Sequence, residues 1–114
     1  KRRIRQLQRQ MSMSRMMQEV PKADVVVVNP THIAVAIVYD SDESDAPIVI
    51  AKGQGYVAEN IKERAKQHDI AIVEDKPLAK TLYETTEIGN VIPAELYHAV
   101  AEVLAYVYSL DNER

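Results

Sequence analysis

Two apolar, β-branched runs, Val25 to Val28 and Ile33 to Tyr39, stand four residues apart, with Asn29-Pro30-Thr31-His32 between them. Four residues leave room for a tight turn and little else, so the spacing predicts two short strands of one sheet joined at that point. Asn suits the first position of a turn, and Pro pre-sets φ at the second. A purely structural turn is therefore the default reading of this segment.

The same dipeptide carries a second possibility, because Asn followed by Pro is chemically unusual. In most Asn-X sequences the backbone nitrogen of X attacks the Asn side chain, and deamidation follows. Proline's nitrogen has no N–H, so that route is closed. The reverse attack stays open. The side-chain amide nitrogen of Asn29 can reach its own carbonyl carbon, close a five-membered succinimide and expel Pro30 as a new N-terminus. Two strongly apolar strands could hold a strained turn rigidly from both sides. His32 lies close to the scissile bond, and an imidazole can both accept and donate a proton, so it could move the protons the reaction needs.

The rest of the chain predicts one small α/β domain. Residues 1–19 read as a helix that stops at Pro21, with only a thin apolar stripe of Ile4, Leu7 and Met11. Such an arm is expected to protrude or to dock elsewhere. A strand over 47–52, a helix over 54–68 and a strand over 70–74 make a βαβ unit with parallel strands and a right-handed crossover. Pro77 opens a short helix over 77–84. The longest helix, over 94–109, should bury Leu96, Val100, Val103, Leu104 and Val107, spaced by threes and fours. The expected architecture is a mixed four-stranded sheet surrounded by about four helices, with the N-terminal helix protruding.

Charge is unevenly placed. Residues 1–15 carry six Lys/Arg and no acid, whereas the remainder carries eight Lys/Arg against 17 Asp/Glu. One reading is phosphate binding to nucleic acid; it would call for more basic residues in the body and for aromatic or Gly interleaving, which are missing. Another is a segment next to a membrane span, where Lys and Arg gather on the cytoplasmic side. The plainest is a solvated helix face. The sequence holds no span, no signal peptide and no cysteine, and its first residue is Lys1, so an excised piece of a longer protein is expected.

Ligand motifs are few. Gly53-Gln54-Gly55-Tyr56-Val57-Ala58 follows a strand, opens a helix and fits a dinucleotide-binding pattern, with Glu74 near the distance of the ribose acid. One βαβ unit is too little for that fold, and two glycines at a strand-to-helix turn need no ligand. His32, His68 and His98 lack ligand spacing, so neither a metal nor a cofactor is expected. No serine sits in a nucleophile elbow.

Asn29-Pro30-Thr31-His32 resembles the signature of the FlhB/YscU family, the self-cleaving switch proteins of bacterial type III export machines. Ala46-Pro47, Ala51-Lys52-Gly53, Pro77 to Tyr83, Glu87-Ile88-Gly89 and the stretch to Ala105 resemble that family's cytoplasmic domain in the same order, across roughly residues 22–110. Residues Ile92 to Ala105 are more similar to the flagellar branch than to the virulence injectisome branch, the alternative within the family. The resemblance implies a basic arm over 1–21, leading from an absent multi-span portion in the bacterial inner membrane, and a switch domain over 22–114 on the cytoplasmic face. It implies one self-inflicted cut between Asn29 and Pro30, with Thr31 and His32 assisting, rather than turnover catalysis. It further implies a change of export specificity from rod/hook-type to filament-type substrates. The implied partners are other export-gate proteins, a hook-length control protein and rod/hook-type substrates. A docking patch at Ala46, Pro47, Ala101 and Leu104 is likewise implied, although residue type alone would put Ala101 and Leu104 in the core. From a different class, a basic-armed nucleic-acid or nucleotide binder is the competing reading.

Overall fold

The computed structural model describes residues 12–112. Strand β1 (Val25–Asn29) turns directly into β2 (Ile33–Val38), and the two pair antiparallel from Val25 opposite Ile37 to Asn29 opposite Ile33. Strand β3 (Ile48–Gln54) lies antiparallel on the far side of β2, and β4 (Ala71–Glu74) lies parallel on the far side of β1. The order β3-β2-β1-β4 makes one open mixed sheet.

Helix α1 (Met13–Glu19) precedes the sheet, α2 (Tyr56–Gln67) links β3 to β4, and α3 (Lys76–Thr85) follows β4. Helix α4 (Tyr97–Asn112) ends the described chain. Four helices around a four-stranded mixed sheet match the architecture expected from the sequence. The strands joined by α2 run in the same direction, as a βαβ unit requires, but they are not neighbours. The crossover passes over β2 and β1, because the β1–β2 pair occupies the middle of the sheet.

Both central strands are apolar on both faces because both faces are covered. Val25, Val27, Ile33, Val35 and Ile37 pack with Leu78, Ala79 and Leu82 of α3 and with Val100, Val103, Leu104 and Val107 of α4. On the other face Val26, Val28, Ala34 and Ala36 meet Ala58, Ile61 and Ala65 of α2 and Met16 of α1. The small alanines on β2 let α2 approach closely. Burying each Val or Ile contributes roughly 1.5–3 kcal/mol, and none of that depends on the continuity of the β1–β2 turn.

A register shift between Ala36 and Ile37 leaves Ile50 of β3 without a partner, and this bulge re-aims the strand. It allows both Val49 and Lys52 to lie on the α3/α4 face. The caps follow the sequence: Ser12 Oγ accepts from the Arg15 N–H at 3.1 Å, and Asp75 Oδ1 accepts from the Leu78 N–H at 3.2 Å. The last helix begins with a 3₁₀ turn, Ala94–Leu96, after Pro93, so its regular part starts three residues later than its pattern predicts. Its buried face is the expected one, with Leu96 half-buried.

Most of the expected N-terminal helix lies outside the described residues. Its described end does not stand free of the domain. Met16 and Val20 are buried, Met13 and Met17 pack partly against the α2 face, and Arg64 Nε donates to the Met17 carbonyl at 3.2 Å. The methionines just beyond the sequence-read stripe provide that contact, because an unbranched thioether fits an irregular surface.

Candidate self-cleavage turn

The polypeptide reverses over Asn29 to His32 with one hydrogen bond, from the His32 N–H to the Asn29 carbonyl at 3.0 Å. Thr31 sits at φ +72°, and every peptide bond in the described chain is trans. Pro at the second position and a positive φ at the third define a type II turn. That third position normally takes Gly or Asn. For a β-branched residue it is an outlier, and it costs of order 1–3 kcal/mol. Among the described residues the other positive-φ positions are Asp69, Gly55 and Gly89. Asp69 follows α2, where Asp tolerates the left-handed conformation. Thr31 is the only β-branched residue among the four.

The turn is also anchored from its sides. Asp75, the N-cap of α3, donates its N–H to the Val28 carbonyl at 3.0 Å. Gly55, at the start of α2, donates its N–H to the His32 carbonyl at 3.0 Å. The carbonyls just before and just after the turn are thus both held by neighbouring chain segments. Asn29 and Pro30 are half-buried, whereas Thr31 and the His32 ring are exposed. The Asn29–Pro30 peptide bond therefore sits in a fixed frame, with the His32 N–H directed at its carbonyl oxygen.

The glycine motif has a structural origin. A Cβ on Gly53 would stand 2.2 Å from Val57 Cγ1, so the close approach of α2 to β3 excludes any side chain there. Gly55, at φ +58° and ψ −128°, adopts a conformation open only to glycine. Of the remaining histidines, His68 caps the end of α2, and His98 lies exposed on α4 with Nε2 3.4 Å from Glu102 Oε1.

The four patch residues occupy different depths. Ala46 and Leu104 are buried, Pro47 is half-buried, and Ala101 is exposed on α4. Residue type alone would have buried Ala101, but its position on the helix turns it outward. The Pro47 carbonyl accepts the Ile92 N–H at 2.9 Å, which ties the Ala46-Pro47 segment to the approach to α4.

Lys52 was not singled out as a site from the sequence. Its ammonium donates to the Tyr83 carbonyl at 2.8 Å, lies 3.2 Å from Glu87 Oε2, and sits 4.9 Å above the Tyr83 ring. With only 16% of its side chain exposed, it binds together three segments distant in the sequence: β3, the end of α3 and the loop after it. The available signal was a lone lysine in an otherwise apolar strand.

The model of the FlhB HrpN YscU SpaS family matches residues 1–107. The chain belongs to this family. The flagellar biosynthetic protein FlhB of Bacillus subtilis is 52% identical over 108 residues, which is 95% of this chain and 30% of that protein. The chain thus spans under a third of the length of this full-length family member. The crystal structure of the cytoplasmic domain of FlhB from Shewanella putrefaciens superposes with a TM-score of 0.87 at 52% identity, covering 90% of this chain and 78% of that one. A more distant family member, the EscU C-terminal domain carrying an Asn-to-Ala substitution, gives a TM-score of 0.78 at 33% identity, over 81% of this chain and 92% of that one. The higher identity lies on the flagellar side. No described helix is long and apolar enough to cross a membrane.

Proposed function

We propose that this chain is the cytoplasmic domain of a flagellar type III export protein, and that it cuts itself between Asn29 and Pro30 to enable a change of export specificity. The observation that carries the reading is the turn itself: an Asn-Pro bond in a type II turn, strained at Thr31, with the His32 N–H on the scissile carbonyl oxygen.

The chemistry is intramolecular. Nδ2 of Asn29 attacks the Asn29 carbonyl carbon, and the N–C bond that forms closes the succinimide. Negative charge grows on the carbonyl oxygen, where the His32 N–H is already placed to receive it. The C–N bond to Pro30 then breaks. The proton lost from Nδ2 passes to the proline nitrogen, with the exposed His32 imidazole as its carrier. Water later opens the succinimide to leave a carboxyl end. The turn supplies orientation and strain, and the event happens once per chain.

Both fragments stay in place, because β1 remains paired with β2 and β4 and is buried on both faces. Partners then read a local change: a released turn, a charged Pro30 amine and a new carboxyl end. Those partners are export-gate proteins, a hook-length control protein and rod/hook-type substrates. Pro47 and Ala101 would offer the docking surface, with Ala46 and Leu104 shaping it from beneath. The basic arm would lead to a membrane-embedded portion.

Intact mass under denaturing conditions tests the cleavage. Wild-type chain should yield two fragments meeting at Asn29/Pro30, while Asn29→Ala and Pro30→Ala stay whole. A wild-type chain still whole after long incubation would reduce the motif to a turn.

A further inference from the structure

We infer that Gly55 is a positioning residue for cleavage at Asn29, acting through the hydrogen bond from its N–H to the His32 carbonyl. The inference rests on the self-cleavage reading and adds to it a residue 26 positions away in sequence.

His32 serves the scissile bond twice, through its backbone N–H on the Asn29 carbonyl and through its imidazole. Whatever fixes the His32 backbone therefore fixes both. On its N-terminal side the residue follows Thr31, whose φ of +72° is unfavourable and would relax if it could. On its C-terminal side the His32 carbonyl is held by Gly55 at 3.0 Å, next to the Ile33–Gln54 pair that ends the β2–β3 ladder. The His32 N–H and carbonyl belong to the two peptide units on either side of the His32 Cα. Releasing the carbonyl therefore frees the φ and ψ torsions at His32, and the preceding unit can then tilt its N–H off the scissile oxygen and relieve the strain at Thr31.

The donor points at His32 because of its own backbone. After Gln54 the chain must leave the sheet and enter α2 at Tyr56 within one residue. Gly55 does this at φ +58° and ψ −128°. Any other L-residue is strained there whatever the space available. Space is available: a Cβ on Gly55 meets nothing within 4 Å. Gly55→Ala therefore perturbs conformation without creating a clash.

Gly89 supplies a matched control. It too has a positive φ, +92°, and open space around an added Cβ. Its N–H donates to the Val49 carbonyl near the start of β3, the end of that strand away from the turn. Gly89→Ala thus imposes a similar backbone penalty far from the scissile bond.

Wild type, Gly55→Ala and Gly89→Ala are synthesised in a cell-free system, and the uncut fraction is followed by mass against time. Thermal midpoints are measured for each chain in an Asn29→Ala background. Gly55→Ala should slow cleavage by on the order of 10- to 100-fold, and Gly89→Ala should stay within about twofold of wild type at a comparable loss of thermal midpoint. In the same background, amide exchange at His32 should rise about tenfold for Gly55→Ala and stay unchanged for Gly89→Ala. Equal slowing by both alanines would overturn the inference by making the effect one of general stability. So would a folded Gly55→Ala chain that cleaves at the wild-type rate. If Gly55→Ala does not fold, unchanged His32 exchange on replacing the Gly55 amide by an ester in the Asn29→Ala chain overturns it, and raised exchange supports it. An uncut wild-type chain would instead defeat the cleavage reading itself, and this inference with it.

Discussion

Two tight turns meet at one end of the sheet and share a hydrogen bond, yet they meet the need for positive φ in opposite ways. At Gly53 to Gly55 the chain uses residues without a Cβ, one to admit Val57 and one to turn into α2. The geometry there is relaxed. At Asn29 to His32 the same kind of conformation falls on Thr31, which is β-branched and poorly suited to it. Glycine at position 31 would make a more comfortable turn. Strain that an ordinary substitution would remove, lying beside an Asn-Pro bond, fits the self-cleavage proposed for this turn. Strain of this sort persists only where the surroundings over-determine it, and here the relaxed turn helps hold the strained one.

The contrast can be broken most forcefully at Gly53. Gly53→Ala places a Cβ against Val57 and should destabilise the domain by about 1–3 kcal/mol, read as a lowered urea midpoint. If the variant is as stable as wild type, close packing is not why glycine stands there.

Thr31→Gly is expected to act in the other direction. In an Asn29→Ala background, relief of strain offset by a more flexible unfolded chain should leave it more stable by about 1 kcal/mol. In the Asn29 chain the same change should slow cleavage by about tenfold. Stabilisation without slowing would show that the strain is incidental to the chemistry.

Lys52 anchors the strand that carries the relaxed turn. Lys52→Met keeps the stem and removes the bonds to the Tyr83 carbonyl and Glu87, for an expected loss of about 1–2 kcal/mol. Its cleavage rate should change less than that of Gly55→Ala, since no hydrogen bond of Lys52 reaches the Asn29–His32 turn.

The smallest effect lies at the opposite end of the sheet. Burial, then the nearby Asp24 carboxylate and then Tyr39 push the Tyr108 phenol up from its ordinary value. A raised folded-state value means the folded protein holds that proton more tightly. The resulting stability is fully present below the unfolded value near pH 10 and is lost as pH rises through the folded one. Tyr108→Phe should slightly flatten the alkaline fall in thermal midpoint and leave cleavage unchanged. A shifted cleavage rate would mean that the two ends of the sheet are coupled.

Much of this was legible in the residues. The four strands, α2 to α4 and the buried stripe of α4 follow from apolar period and from Pro and Gly punctuation, which are local properties. The Asn-Pro chemistry is local too, because both reacting groups belong to Asn29. Ala101 shows where that reasoning stops: small and apolar, it reads as core, yet one position along α4 turns it outward while Val100 is fully buried.

Sequence by itself therefore determined where the chain turns, that Asn29 carries both groups the proposed cleavage needs, and which faces must be covered. Tertiary structure alone decided that β4 lies beside β1 rather than β3. It alone brought Gly55 and Asp75 to the two carbonyls flanking the turn, and joined Lys52 to Tyr83 and Glu87. The physical reason is distance along the chain. Turn chemistry and periodicity are written within a few residues, whereas strand order and the partners of a backbone N–H depend on which distant surfaces bury each other.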